Sequence, residues 1–145
     1  MTMKETMAPY GVLPQPDQHT QPFWDAAKEH RLVIQRCQRC RHYHHPPVFL
    51  CTNCNDPKAT LAFEGVSGRG TVYAHYVHHF KNIGGFEDKA PYPVVAVELE
   101  EQRGLLMVTN ILHCPYDQLR VGMPVEVVFE KASDEITIPQ FRPRK

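Results

Sequence analysis

Two Cys-x₂-Cys pairs, Cys37-Gln38-Arg39-Cys40 and Cys51-Thr52-Asn53-Cys54, stand ten residues apart. Four thiolates so spaced can close around one tetrahedral metal ion at about 2.3 Å each. Each pair forms a tight knuckle whose backbone amides can hydrogen-bond to sulfur, and Arg36, Arg39 and Arg41 flank a site with excess negative charge. Four sulfur ligands leave no open position, so the metal is expected to be structural. Zn²⁺ is the expected ion, with an iron centre as the alternative because sulfur tetrahedra suit iron too. A unit of roughly 25 residues has little core of its own, and metal binding supplies its folding free energy.

Five cysteines in all, four of them clustered, make a poor disulfide framework. Met1 to Pro16 lacks the basic-then-apolar pattern of a signal peptide, which leads to the expectation of a cytoplasmic, reducing location. His42, His44 and His45 lie between the cysteine pairs and read as exposed loop residues or partner contacts. His75, His78 and His79 form a second cluster, but on a strand only two of them share a face, too few for a metal site. Cys114 reads as an ordinary buried thiol, for want of a base and an electropositive setting. No phosphate loop, Ser-His-Asp pattern or carboxylate pair stands out. The chain looks catalytically poor.

With 145 residues there is room for one modest domain or two small ones. No apolar run approaches the ~18 residues of a membrane span. Thirteen prolines favour strands and turns over long helices. Residues 1–19 read as an extended arm, ordered only against something else. Thr20 then caps a short helix carrying Phe23, Trp24 and Ala27 on one face, with Pro22 in its first turn. Those two aromatics serve either this chain's own core or a partner subunit. Strands are expected at Leu32–Arg36, Leu61–Val66, Thr71–Phe80, Tyr92–Glu100, Leu105–Leu112 (a central strand, being apolar on both faces), Val125–Glu130 and Ile136–Phe141, with one helical turn within Pro115–Gly122. The expected architecture is mainly β: helix plus zinc ribbon over 20–59, then a five-stranded OB-type barrel over 60–145.

Taken in order, Phe23-Trp24, Leu32, the two Cys-x₂-Cys knuckles around Pro46-Pro47, Gly68-Arg69-Gly70-Thr71-Val72-Tyr73, Val95 to Glu100, Val121-Gly122-Met123-Pro124-Val125 and Phe141-Arg142-Pro143 resemble one family from residue 20 onward. It is the rubredoxin-like zinc-ribbon plus OB-fold family associated with acyl-CoA metabolism, long catalogued as a domain of unknown function. Arg41 departs from the glycine usual after the second cysteine, and Phe80 to Ala90 looks like an inserted loop. The resemblance implies a non-catalytic subunit that docks on a thiolase-fold partner and helps to enclose an acyl-CoA. One branch of the family serves the breakdown of aromatic compounds such as toluene. Arg69, His78, His79, Phe80 and Lys81 are then the candidate CoA or partner contacts, and the Gly84-Gly85 loop is the candidate cover for the partner's active-site mouth.

Charge agrees with protein–protein docking. Sixteen basic and sixteen acidic residues cancel, yet Lys28 to Lys58 holds six basic against two acidic residues and Glu87 to Glu101 five acidic against one basic. The competing reading is a module for single-stranded nucleic acid, since ribbons and OB barrels both bind single strands. It is disfavoured because only Arg69 and Lys81 accompany the aromatics Tyr73, Tyr76 and Phe80.

Overall fold

Proline and glycine punctuate this chain into short strands, and the computed structural model, which describes residues 11–145, shows how they pair. Helix α1 (Gln21–Lys28) is followed by β1 (Val33–Cys37), β2 (Tyr43–His44), β3 (Leu61–Gly65), β4 (Arg69–His78), β5 (Tyr92–Leu99), β6 (Leu106–Thr109), a 3₁₀ turn (Tyr116–Gln118), β7 (Pro124–Lys131) and β8 (Thr137–Pro143). No helix among the described residues is long and apolar enough to cross a membrane.

Two sheets result. The first runs β2-β1-β3 and carries the cysteine knuckles at its end. Leu61–Val66, expected among the barrel strands, belongs instead with the ribbon: β3 pairs antiparallel with β1 from Val33–Gly65 to Cys37–Leu61. The second sheet runs β6-β5-β4-β7-β8, with the long β4 pairing with β5 on one side and with β7 on the other. Its two ends meet through a parallel bridge between Ile111 and Phe141, where Leu112 N–H donates to the Phe141 carbonyl at 2.8 Å. Buried Gln140 adds an acceptor for the Thr109 hydroxyl at 3.1 Å and for the Asn110 amide at 3.2 Å. A five-stranded sheet curled until its outer strands touch is the OB arrangement.

Val95, Val97 and Leu99 of β5 point inward and are 0–1% exposed, as their alternation predicts. β6, expected to be central, instead lies at the sheet's end, and its Val108 is 71% exposed. An apolar side chain on both faces marks a central strand only when something covers both faces. Among the described residues only the inner one is covered here.

Gly68 and Gly70 have separate reasons. Gly68 sits at φ +80°, where a Cβ would collide with Val127. Gly70 is in the strand interior, where a Cβ would run into the Glu98 carbonyl and come within 2.8 Å of Val97.

Ribbon and barrel share one core. Phe23, Leu32, Ile34 and Tyr43 from the helix and ribbon form a single buried cluster with Val72, Val95, Leu99, Val125 and Phe141 of the barrel. Phe23 is buried, while Trp24 is half-buried and meets it edge-on at 5.1 Å. Thr20 is at the N-cap as expected, but its side chain makes no cap bond. Its hydroxyl instead accepts the Asp17 amide at 3.0 Å, and Asp17 Oδ1 in turn accepts the backbone amides of His19 and Thr20 at 2.9 and 2.8 Å. Of the expected arm, residues 1–10 lie outside the described residues. Gly11 N–H donates to Gly85 O at 3.3 Å, so the arm's second half has a partner within this chain.

Candidate metal centre

The strand β1 ends on Cys37, and the chain turns back at once so that Cys37 N–H reaches the His42 carbonyl at 2.9 Å. The second knuckle repeats the turn, with Asn55 N–H on the Cys51 carbonyl at 3.0 Å where Arg41 N–H holds the Cys37 carbonyl at 3.0 Å. Both turns put the residue after the second cysteine in the left-handed region, Arg41 at φ +67° and Asn55 at φ +54°. The family's usual glycine has its reason in that geometry, and Arg41 accepts backbone strain in its place.

The four sulfurs lie within 4.8 Å of one another. Cys37 and Cys54 are 3.9 Å apart and Cys40 and Cys51 3.5 Å apart. Tetrahedral Zn–S bonds of 2.3 Å require sulfur separations of about 3.8 Å, whereas a disulfide requires about 2.0 Å. The donor set therefore fits Zn²⁺. Its acid–base chemistry agrees. The Asn53 side chain and the His42 backbone amide pull the Cys40 thiol down to about 6. Cys54 is lowered by the Asp56 backbone amide, but burial and the neighbouring sulfurs outweigh that and push it up to about 11. Four thiolates this close repel, and a divalent cation among them removes the repulsion.

The arginines do not do this work. Arg36 and Arg41 reach Glu64 at 3.4 and 2.9 Å, and Arg39 pairs with Asp56. Sulfur charge is instead met by donors: Cys40 N–H to Cys37 Sγ at 3.5 Å, Asn53 Nδ2 to Cys40 Sγ at 3.4 Å, and His44 Nε2 to Cys51 Sγ at 3.3 Å. His44, expected on an exposed loop, is buried on β2. The signal for it was the alternation His42-Tyr43-His44, a strand whose two histidines share one face.

The other candidate residues fall in two places, Arg69 apart from the rest. Arg69 opens β4 and His78 closes it, nine residue steps and roughly 30 Å apart on an extended strand. Arg69 is held by Glu100 at 2.7 Å. At the far end His78 bonds Asn82 at 3.2 Å and leans on Tyr92, His79 meets Tyr116 edge-on, and Phe80 is 74% exposed beside Lys81. Cys114 is buried, its thiol pushed up by that burial, and it donates to the Pro115 carbonyl at 3.4 Å.

Two family profiles match consecutive stretches: the ChsH2 rubredoxin-like zinc ribbon domain over residues 24–58 and the ChsH2 C-terminal OB-fold domain over 64–130. A DUF35 domain-containing scaffold protein of Methanocaldococcus jannaschii is 32% identical over 115 residues, 77% of each chain. The chain belongs to the DUF35 family. Among solved structures, a chain of an Ltp2-ChsH2(DUF35) aldolase superposes with a TM-score of 0.78 at 37% identity, covering 90% of this DUF35 chain and 98% of that one. A probable enoyl-CoA hydratase alpha subunit of Thermomonospora curvata is 40% identical over 124 residues, 83% of this chain but 36% of that subunit. This DUF35 chain thus spans about a third of the hydratase subunit it matches. Its four cysteines are the ligands of a structural zinc in the ribbon.

Proposed function

We propose that this chain is a non-catalytic subunit of a hetero-oligomeric complex acting on acyl-CoA, docked on a thiolase-fold enzyme and helping to enclose its substrate. The single observation carrying this reading is the likeness, over 98% of that chain, to the DUF35 chain of an Ltp2-ChsH2 aldolase. The name of the matching hydratase subunit adds that related chains act on CoA thioesters. The placement of His78, His79, Phe80 and Lys81 at one end of β4, beside the Gly84-Gly85 loop, supports that end as the contact with partner or CoA. Arg69 belongs to a second, separate contact region at the other end. Degradation of an aromatic compound such as toluene is the pathway class we favour, and free cysteines suit a cytoplasmic location.

Native mass spectrometry of the tagged chain isolated from its host tests the subunit role. A heteromer with a thiolase-like chain and one zinc per small subunit is expected. A zinc-loaded monomer would sink the proposal and turn attention to single-stranded nucleic acid. Within the complex, acyl-CoA affinity should fall on Lys81→Ala and on replacing residues 82–88 with a short turn. Unchanged affinity and turnover in both would remove the enclosing role and leave a scaffold.

A further inference from the structure

The barrel reaches into the metal site. Gln102, in the turn between β5 and β6, places its side chain against β2 of the ribbon. Tyr43 N–H donates to Gln102 Oε1 at 2.8 Å, and Gln102 Nε2 donates to Tyr43 O at 3.1 Å and to His42 Nε2 at 3.3 Å. Both hydrogens of the amide and one lone pair of its oxygen are thus used, which fixes its orientation and makes His42 Nε2 the acceptor nitrogen. The backbone holds Gln102 in turn, its N–H on Leu99 O at 3.4 Å and its carbonyl accepting Leu105 N–H at 3.2 Å. His42 packs on the His44 ring at 5.0 Å, and His44 Nε2 faces Cys51 Sγ at 3.3 Å, where a sulfur acceptor requires the nitrogen to carry its proton.

We infer that Gln102 is a positioning residue for the zinc site: by clamping Tyr43 and His42 it holds His44 as the hydrogen-bond donor to the Cys51 sulfur. The ribbon's own knuckles supply no equivalent donor to Cys51 among the hydrogen bonds of the described residues, whereas Cys37 has the Cys40 amide and Cys40 has Asn53. A sulfur without a donor keeps more charge and binds zinc in a less fixed orientation, and outer partners of this kind are worth about 10- to 100-fold in metal affinity. A ribbon whose metal affinity is completed by the barrel holds zinc fully only when the two are packed together.

The test is a double-mutant cycle on the full zinc-loaded chain, read as zinc affinity by competition against a chelator of known strength. His44→Ala and Gln102→Ala are each expected to weaken zinc about tenfold, and the double variant no further than His44→Ala alone. His44→Gln, which restores an N–H donor, is expected to recover most of the affinity. With Co²⁺ in place of zinc, the sulfur-to-metal charge-transfer band should shift in the Gln102 and His44→Ala variants and return in His44→Gln. Should Gln102→Ala not fold, Gln102→Glu keeps the acceptor for Tyr43 N–H and removes both donated bonds, and it carries the same expectation. Wild-type affinity in the Gln102 variant, or losses that multiply in the double variant, would overturn the inference. So would a His44→Gln protein that behaves like His44→Ala.

Discussion

Arg41 shows how one residue carries two opposed demands. Its backbone is left-handed, which costs a non-glycine residue about 1–2 kcal/mol, while its guanidinium reaches Glu64 on β3. Arg41→Ala loses the ion pair and keeps the strain, whereas Arg41→Gly loses the ion pair and sheds the strain. The glycine variant should therefore be more stable than the alanine variant by about 1 kcal/mol, after allowing for glycine's greater unfolded entropy. Urea denaturation of the two zinc-loaded variants measures this, and equal midpoints would contradict it. Glu64 itself collects Gln38, Arg41 and Arg36, which together hold its carboxyl below the ordinary range. A lowered folded value means that the stabilisation is full above the unfolded carboxylate range and fades as pH falls through the folded value. Glu64→Gln should thus be less stable than the parent at neutral pH and equal to it in acid. The difference between the two proteins at each pH is the quantity to measure, since acid-driven zinc loss is common to both.

Among elements, β4 decides the barrel. It is the only strand of the five-stranded sheet that pairs with both β5 and β7, and Gly70 makes the double pairing close enough. Gly70→Ala would push a methyl group into the Glu98 carbonyl, with backbone on that side unable to move aside. It is expected to cost 1–3 kcal/mol, about the usual cost of overpacking, and to lower the melting temperature without loss of zinc. Unchanged melting would mean that β4 and β5 can separate freely. The strands' existence was legible from period-two alternation, as in Tyr92 to Glu100. Their partners were not: β3 and β4 are both β-rich runs, and nothing within Leu61–Val66 says that it pairs with Val33–Cys37 rather than with a barrel strand.

At the scale of the whole molecule, ribbon and barrel are joined by a common core and by Gln102. Helix α1 touches both, and His30 stacks on Phe129 of β7 at 5.2 Å with rings nearly parallel. Removing zinc should therefore lower the melting temperature of the barrel as well as unfold the ribbon, in one transition rather than two. Fluorescence of Trp24, half-buried against the shared core and the sole tryptophan, reports the ribbon side, and amide exchange of β5 reports the barrel. A barrel that melts at the same temperature with and without zinc would show the two parts to be energetically separate.

The zinc ligands were readable from sequence alone because thiolate chemistry and a two-residue knuckle are local, and nothing distant can change which atoms Cys37, Cys40, Cys51 and Cys54 present. The alternation of Val95, Val97 and Leu99 was readable for the same reason, since side-chain direction along a strand depends only on the strand. Tertiary structure alone decided that β3 joins the ribbon, that β6 ends its sheet with Val108 outward, and that Arg36 and Arg41 answer Glu64 rather than sulfur. It also brought Gln102 to Tyr43 across 59 residues. Strand partnership and buried polar pairing are set by which surfaces meet when the core closes. That choice minimises exposed apolar area and unpaired polar groups over the whole chain, and no short stretch of sequence contains it.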